Sequence, residues 1–249
     1  MKSFIRNLAL LSIFLACSAL FSAQAAETLK VATSVDFPPY ESNNEKNEVV
    51  GFDIDIMNAI AADMGVTLEW QYMNFNDIDD AIASGKADCA ISAIGITKER
   101  MEKYEFSEPY HMSGQGILIN KKDIDAIHSF RDLQGKTICV EEGSLAEELL
   151  GKYKEIKFKK FNTTTALFKA LDNKECRAVV SDSPVLLNQI RITGRNDLKM
   201  LDDIQQLTSD GIIAKKGNTA LIERINTSLK NIKKSGAYTK IFKHWFPKN

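Results

Sequence analysis

The sequence predicts an α/β protein of two similar lobes, each a mostly parallel sheet flanked by helices. Three observations predict it. Strand-like and helix-like stretches alternate almost without interruption from Leu29 onward, and such alternation argues for parallel strands covered by helices. The alternation then restarts at about Gly116. Finally, residues 81–92 can be laid on residues 170–181, each a helix end, a turn carrying Lys, and a buried strand finishing in Ser92 or Ser181. Ligands of open α/β sheets sit beyond the carboxyl ends of the strands, so two facing lobes imply a cleft between them.

The chain opens on an export leader. Lys2 and Arg6 precede an apolar run over residues 8–20, and Ala23-Gln24-Ala25 supplies a small-x-small cleavage pattern. Residues 1–25 are therefore expected to be a secretory signal peptide, with the mature protein starting at Ala26. No later stretch approaches the roughly 18 apolar residues needed to span a bilayer. The expectation is a soluble, exported protein.

The first lobe starts with a strand at 29–34, ended by the loop Phe37-Pro38-Pro39-Tyr40. Residues 51–65 show Phe52, Ile56, Met57, Ile60, Ala61 and Met64 at helical spacing, with Asp53, Asp55 and Asn58 turned outward. A strand at 67–72 and a helix at 76–84, stopped by Gly85, follow. Residues 89–93 form a short buried strand. After the restart, strands are expected at 116–119 and 137–140, and Ser144-Leu145-Ala146-Glu147 has the form of a capping box opening a helix. An alternating strand at 156–161, a helix at 163–173 and a buried strand at 176–181 come next. Ser183-Pro184 then opens another helix, with Pro at its tolerated first position. Leu221, Ile222, Ile225, Leu229 and Ile232 mark one face of a helix over 218–235, and a short helix ends in Trp245-Phe246-Pro247.

Charge and cysteine content narrow the function. Lys and Arg number 32 against 33 Asp and Glu, a net of −1, which lacks the basic excess of a nucleic-acid binder. Of the four cysteines, Cys17 lies in the leader; Cys89, Cys139 and Cys176 sit in apolar, strand-like surroundings without metal-site spacing. A Cys139–Cys176 bridge is conceivable in neighbouring strands, but buried free thiols are the expected state. His111, His128 and His244 fall at or near segment ends and read as surface or hinge residues. There is no glycine-rich phosphate loop, nucleophile elbow, H-E-x-x-H or C-x-x-C. No metal or cofactor is expected.

What remains suits a zwitterion. In the stretch 88–100, a strand runs into a small-residue loop and a helix start, with hydroxyls at Ser92 and Thr97, a bare backbone at Gly95 and a guanidinium at Arg100. N–H groups at a helix start favour an anion, and Arg grips a carboxylate with two parallel hydrogen bonds. Asp182, at a strand's carboxyl end, suits an α-ammonium; it also suits an N-cap for the helix behind it, and the two roles are compatible. Phe37 and Phe75 lie in loops after strands, as a ligand sandwich or as lobe core.

Taken in order, Phe37-Pro38-Pro39-Tyr40, Gly51-Phe52-Asp53-Ile54-Asp55, Ile94-Gly95-Ile96-Thr97-Lys98-Glu99-Arg100, Phe106-Ser107-Glu108-Pro109-Tyr110, Glu142-Gly143-Ser144 and Ser181-Asp182-Ser183 resemble the polar amino-acid-binding proteins of bacterial ABC importers. The resemblance spans the mature chain. It implies the type II two-lobed periplasmic binding fold with two crossover strands at the hinge: lobe one at 27–112 plus 209–249, lobe two at 113–208. It implies an aromatic clamp at Phe37 and Phe75 and ligand contacts at Ser92, Ala93 and Gly95. The carboxylate would meet Arg100, helped by Ser144 and its neighbour Leu145, and the ammonium would meet Asp182. Gly95 and Leu145 depart from the polar residues common in relatives, and Ser34 sits where lysine and glutamine binders often carry Asp.

An acidic rim of Asp36, Glu41, Glu141 and Glu142 suits a cationic side chain. Ser34, Glu41 and Glu141, with the Trp245-Phe246-Pro247 ending, look most like arginine-binding members, so arginine is expected ahead of lysine, ornithine and histidine. The resemblance further implies a monomer in the periplasm that hands its ligand to a membrane permease. The alternative is an enzyme on the same scaffold, similar to exported cyclohexadienyl dehydratases, with Glu141 or Glu142 as general acid or base.

Overall fold

A computed structural model describes residues 27–153 and 155–247; the expected signal peptide lies outside the described residues. The first sheet is centred on the strand the sequence marks first. β1 (Thr28–Thr33) runs parallel to β5 (Thr67–Tyr72) on one side and β6 (Cys89–Ala90) on the other. β14 (Ile213–Lys215) pairs antiparallel with β6 and with β7 (Tyr104–Phe106), giving the order β5-β1-β6-β14-β7. Alternation sorts the side chains. Val31, Cys89 and Ala214 pack under α1 (Phe52–Met64) and the long α7 (Thr219–Ser235), while Ala32, Ala90 and Ile213 pack under α2 (Ile78–Ser84).

α1 begins where it does because of Gly51. Its φ is +154°, and a Cβ there would lie 1.9 Å from the Tyr40 carbonyl oxygen. The helix corrects one expectation: Asn58 is exposed, but Asp53 is fully buried rather than turned outward. It lies three, four and seven residues before Ile56, Met57 and Ile60, on the apolar stripe itself. The expected loop at 37–40 belongs to a small antiparallel sheet of β2 (Asp36–Phe37), β3 (Glu41–Asn43) and β4 (Val49–Val50).

The second sheet repeats the plan. β10 (Lys157–Phe161), β9 (Thr137–Glu141) and β11 (Ala178–Asp182) are parallel neighbours. β8 (His111–Asn120) lies antiparallel to β11, and its other edge takes β12 (Leu198–Met200) and β13 (Gln205–Asp210). One face packs on α4 (Leu145–Leu150); the other packs on α5 (Thr164–Asp172) and α6 (Ser183–Thr193). The chain leaves the first sheet along β8 and returns along β13, the two paired from His111↔Asp210 to Gln115↔Gln205. β8 is longer than the expected 116–119 because this crossover ribbon extends it. β13 is the second crossover strand that the family resemblance implies near residue 208; periodicity gives no sign of it, since Gln205-Gln206-Leu207-Thr208-Ser209-Asp210 lacks a buried face.

The free-thiol expectation for Cys139 and Cys176 is wrong: they are joined, with Cα atoms 5.8 Å apart. β9 and β11 are direct parallel neighbours with Val179 opposite Cys139, and the turn before β11 brings Cys176 within bridging distance of it. Cys89 remains a buried free thiol. The bridge closes a loop with a sequence separation of 37, for which chain entropy predicts roughly 2–4 kcal/mol of stabilisation. Urea unfolding of Cys139→Ala/Cys176→Ala is expected to show a loss in that range; unchanged stability would mean the bridge does not constrain the unfolded chain.

Candidate functional site

The strand ends of both sheets meet at one cleft, and the loop after β6 forms its first wall. The strand stops at Ala90 rather than Ala93, because Ala93 takes a left-handed φ of +47°. This conformation disfavours an L-residue by roughly 1–2 kcal/mol. It turns the Ala93 N–H onto Asp53 Oδ2 at 2.7 Å, and the same oxygen accepts the Tyr110 hydroxyl at 2.8 Å. Burial pushes the Asp53 carboxyl up to about 7, while the two hydrogen bonds pull the other way. Asp53 thus fastens the site loop to α1 and to the residue before the hinge strand β8.

A small cavity between the lobes is lined by Phe37, Phe75, Ser92, Ala93 and Arg100 from the first lobe. Glu141, Ser144, Leu145 and Asp182 line it from the second. Ser34 and Gly95, expected to touch the ligand, do not line this space. Ser34 is buried behind it, its hydroxyl donating to Glu41 Oε1 at 2.9 Å. Gly95 lies under Leu145, where a Cβ would come within 2.3 Å of the Leu145 Cδ1.

Arg100 sits on α3 (Lys98–Lys103), whose N-cap Thr97 accepts the Arg100 N–H. Its guanidinium packs over Phe75, 5.8 Å from the ring centroid. Nη1 donates to the Gly95 carbonyl at 3.4 Å, and Nη2 donates across the cleft to the Gly143 carbonyl at 3.0 Å and to Glu148 Oε1 at 3.2 Å. Glu148 was not foreseen; it is one of several acidic residues in its stretch, and nothing in the sequence aims it at Arg100.

Asp182 accepts from Ser113 Oγ at 3.1 Å and from Gln115 Nε2, both on β8. Burial first, then the nearby Asp210, raises it to about 7. Its carboxylate makes no capping bond to α6, so the N-cap role expected to accompany the site role is absent. Ser144 caps α4 by accepting the Glu147 N–H at 3.3 Å, and its own proton goes to the Glu141 carbonyl at 2.7 Å. The capping box is altered as well: Glu147 Oε2 accepts from Gly143 N rather than from Ser144 N.

Of the four acidic residues expected on the rim, Glu142 is half-buried and does not line the cavity, and the other three sit in three environments. Glu141 lines the cavity, and burial with Asp182 and Asp36 nearby raises its carboxyl to about 8. Glu41 is not on the rim but fully buried one hydroxyl behind the wall. Its Oε1 accepts Ser34 and Ser92, at 2.9 and 2.5 Å, while Oε2 has no partner among the described residues. Burial, then Asp53, pushes it well above the usual carboxylate range. Asp36 is turned to the opposite lobe, where its carboxylate accepts the Thr165 N–H and hydroxyl, each at 3.0 Å, at the start of α5.

His111 is a hinge residue. Its Nδ1 lies 3.1 Å from both the Tyr40 hydroxyl and Asp210 Oδ2, and its ring stacks on Phe246. His128 and His244 are exposed. Among the described residues, no cluster of His, Cys, Asp and Glu is arranged to hold a metal ion, and no helix is long and apolar enough to cross a membrane.

Two α/β lobes joined by a pair of crossover strands, with a polar cavity walled from both sides, define a clamshell binding protein. The chain belongs to the bacterial extracellular solute-binding proteins, family 3, whose family model matches residues 29–248. It is 32% identical to ABC transporter arginine-binding protein 1 of Escherichia coli (strain K12), over 91% of this chain and 94% of that one. An ancestral arginine-binding protein solved bound to arginine superposes with a TM-score of 0.84 at 38% identity, covering 88% of this chain and 98% of that one. An ancestral amino-acid-binding protein described as a precursor of cyclohexadienyl dehydratase gives 0.82 at 31% identity, over 88% of this chain and 95% of that one.

Replacing Asp53 by Ala leaves the Ala93 N–H and the Tyr110 hydroxyl buried without an acceptor. At about 1–3 kcal/mol per orphaned group, Asp53→Ala is expected to lose roughly 2–5 kcal/mol in chemical denaturation. A loss below about 0.5 kcal/mol, the range of an ordinary surface substitution, would show that the loop does not depend on it.

Proposed function

We propose that the protein captures a cationic amino acid, arginine ahead of lysine, ornithine or histidine, and hands it to the permease of an ABC importer. In this reading it works as a monomer in the periplasm and leaves its ligand chemically unchanged. Arg100 takes the α-carboxylate, Asp182 the α-ammonium, and Phe37 and Phe75 flank the side chain. The observation that carries the reading is the pair Glu41 and Glu141: two buried carboxyls, one lining the cavity and one directly behind its wall, raised above their usual pKa by burial and by neighbouring carboxyls. A guanidinium supplies that cation, and the arginine-binding relatives are in accord with it. Closure follows only from the ligand's greater affinity for the closed form.

One observation favours a second reading. A carboxyl at about 8 inside a cleft, as Glu141 is, has the poise of a general acid. Against it, no described side chain donates to that carboxyl to relay a proton, and His111 lies at the hinge rather than in the cavity. Turnover of prephenate or arogenate by the purified protein would carry the enzyme reading, and intact substrate dismisses it.

Calorimetric titration with the common amino acids and ornithine tests the binding reading. Arginine is expected to bind most tightly, with Kd below about 100 μM, equivalent to roughly 5.5 kcal/mol. Absence of any amino acid in that range would overturn it. Glu41→Gln and Glu141→Gln are expected to weaken arginine more than glutamine, whereas equal effects would remove both from the side-chain end.

The pKa directions add a test with a definite sign. Raised carboxyls stabilise the empty protein fully below about pH 4, and that contribution is lost as pH rises through the folded values of about 7 for Asp182 and about 8 for Glu141. A bound cation lowers both values, so binding must release protons between pH 6 and 8, and affinity must rise with pH there. Titrations in buffers of different ionisation enthalpy read the release directly; proton uptake, or affinity independent of pH, contradicts the placement of the cation.

A further inference from the structure

The two ends of the cleft are furnished unequally. At the carboxylate end, Arg100 is the one cationic side chain among the described residues lining the cavity, and its charge is already engaged. Its Nη2 is held by Glu148 Oε1 and the Gly143 carbonyl from the opposite lobe, and its Nη1 by the Gly95 carbonyl. Beside it, the Leu145 methyl fills the notch that Gly95 leaves open. Neither position carries a side-chain donor for an anion. The Ser144 proton is directed to the Glu141 carbonyl. The same cavity holds the carboxyls of Glu141 and Asp182, with Glu41 behind Ser92, and among the described residues no second cationic side chain lines it.

Charge then favours a particular ligand. With Arg100 matched by Glu148, three buried carboxyls remain without a cationic side chain among the described residues, and a bound cation draws them into their charged form. A cationic amino acid brings one net charge, and its carboxylate must compete with Glu148 for the guanidinium. A dication brings two charges and leaves that pair intact. We propose that the cleft also takes guanidine or amine dications that lack an α-carboxylate, agmatine being the type, and that Glu148 is the residue that sets the balance between these and amino acids. This rests on the cation-binding reading of the same cleft.

The consequence is specific, because a site built around a ligand's polar group ordinarily rejects the analogue lacking it by about 10⁴-fold. Calorimetry of the mature protein with L-arginine and with agmatine tests it. Agmatine is expected within roughly tenfold of arginine, a difference of about 1.4 kcal/mol. In Glu148→Gln, a change at a half-exposed side chain whose thermal midpoint serves as the folding control, arginine is expected to gain on agmatine by about tenfold, because no carboxylate then competes for Arg100. Arginine binding with agmatine weaker by about 10³-fold or more overturns the proposal while leaving the amino-acid reading standing. Agmatine binding with an arginine-to-agmatine ratio unmoved by Glu148→Gln overturns the role of Glu148. If neither ligand binds, the cation reading fails and the proposal with it.

Discussion

The architecture of the cleft depends on one buried carboxyl. Asp53 lies in the first turn of α1, where the helix dipole favours a negative group. From there a single oxygen receives the Ala93 N–H and the Tyr110 hydroxyl. The first bond holds a left-handed alanine that would otherwise relax, and so orients Ser92, Ala93 and Gly95 towards the second lobe. The second anchors the residue that leads into β8, the strand on which the lobes turn. Gly51 is the companion requirement: it lets α1 start against the Tyr40 backbone, and a different start would carry Asp53 away from both partners.

The lobes meet through direct protein contacts as well as around a cavity. Asp36 receives the first turn of α5, Arg100 reaches the Gly143 carbonyl and Glu148, and Leu145 seats on Gly95. These contacts join opposite lobes, so opening the cleft breaks all of them. The carboxyls enclosed between them work the other way. Glu41, Glu141 and Asp182 are buried near other carboxyls, and desolvation combined with that proximity raises each of them, while Asp210 is raised by burial against the pull of Arg100. A cationic ligand removes that opposition, which ties ligand charge to closure without any further moving part.

Much of this was legible in the sequence, for identifiable reasons. Helices with a clean apolar stripe, such as α1 and α7, and buried strands such as β9 and β11 follow from periodicity. That Arg100 and Asp182 face one cavity follows from their places at strand and helix ends. The crossover strand β13 was hidden because both its faces are partly wet and its residues carry no alternation. Asp53 was misread as outward because its charge outweighed its position on the apolar stripe, although the spacing to Ile56, Met57 and Ile60 was available. Asp36 and Glu41 were correctly marked as acidic, but whether a carboxylate faces solvent, a helix start or two hydroxyls is decided by tertiary packing. The same holds for the fit of Leu145 into Gly95: each was noticed alone as a departure, and only the closed cleft makes them one contact.

The most direct test is a crystal structure of the protein with L-arginine bound. The account requires the guanidinium between Phe37 and Phe75, directed to Glu141 and towards Glu41, with the ammonium on Asp182 and the carboxylate on Arg100. An arginine bound in the reverse sense, or one whose guanidinium lies away from both glutamates, would contradict it.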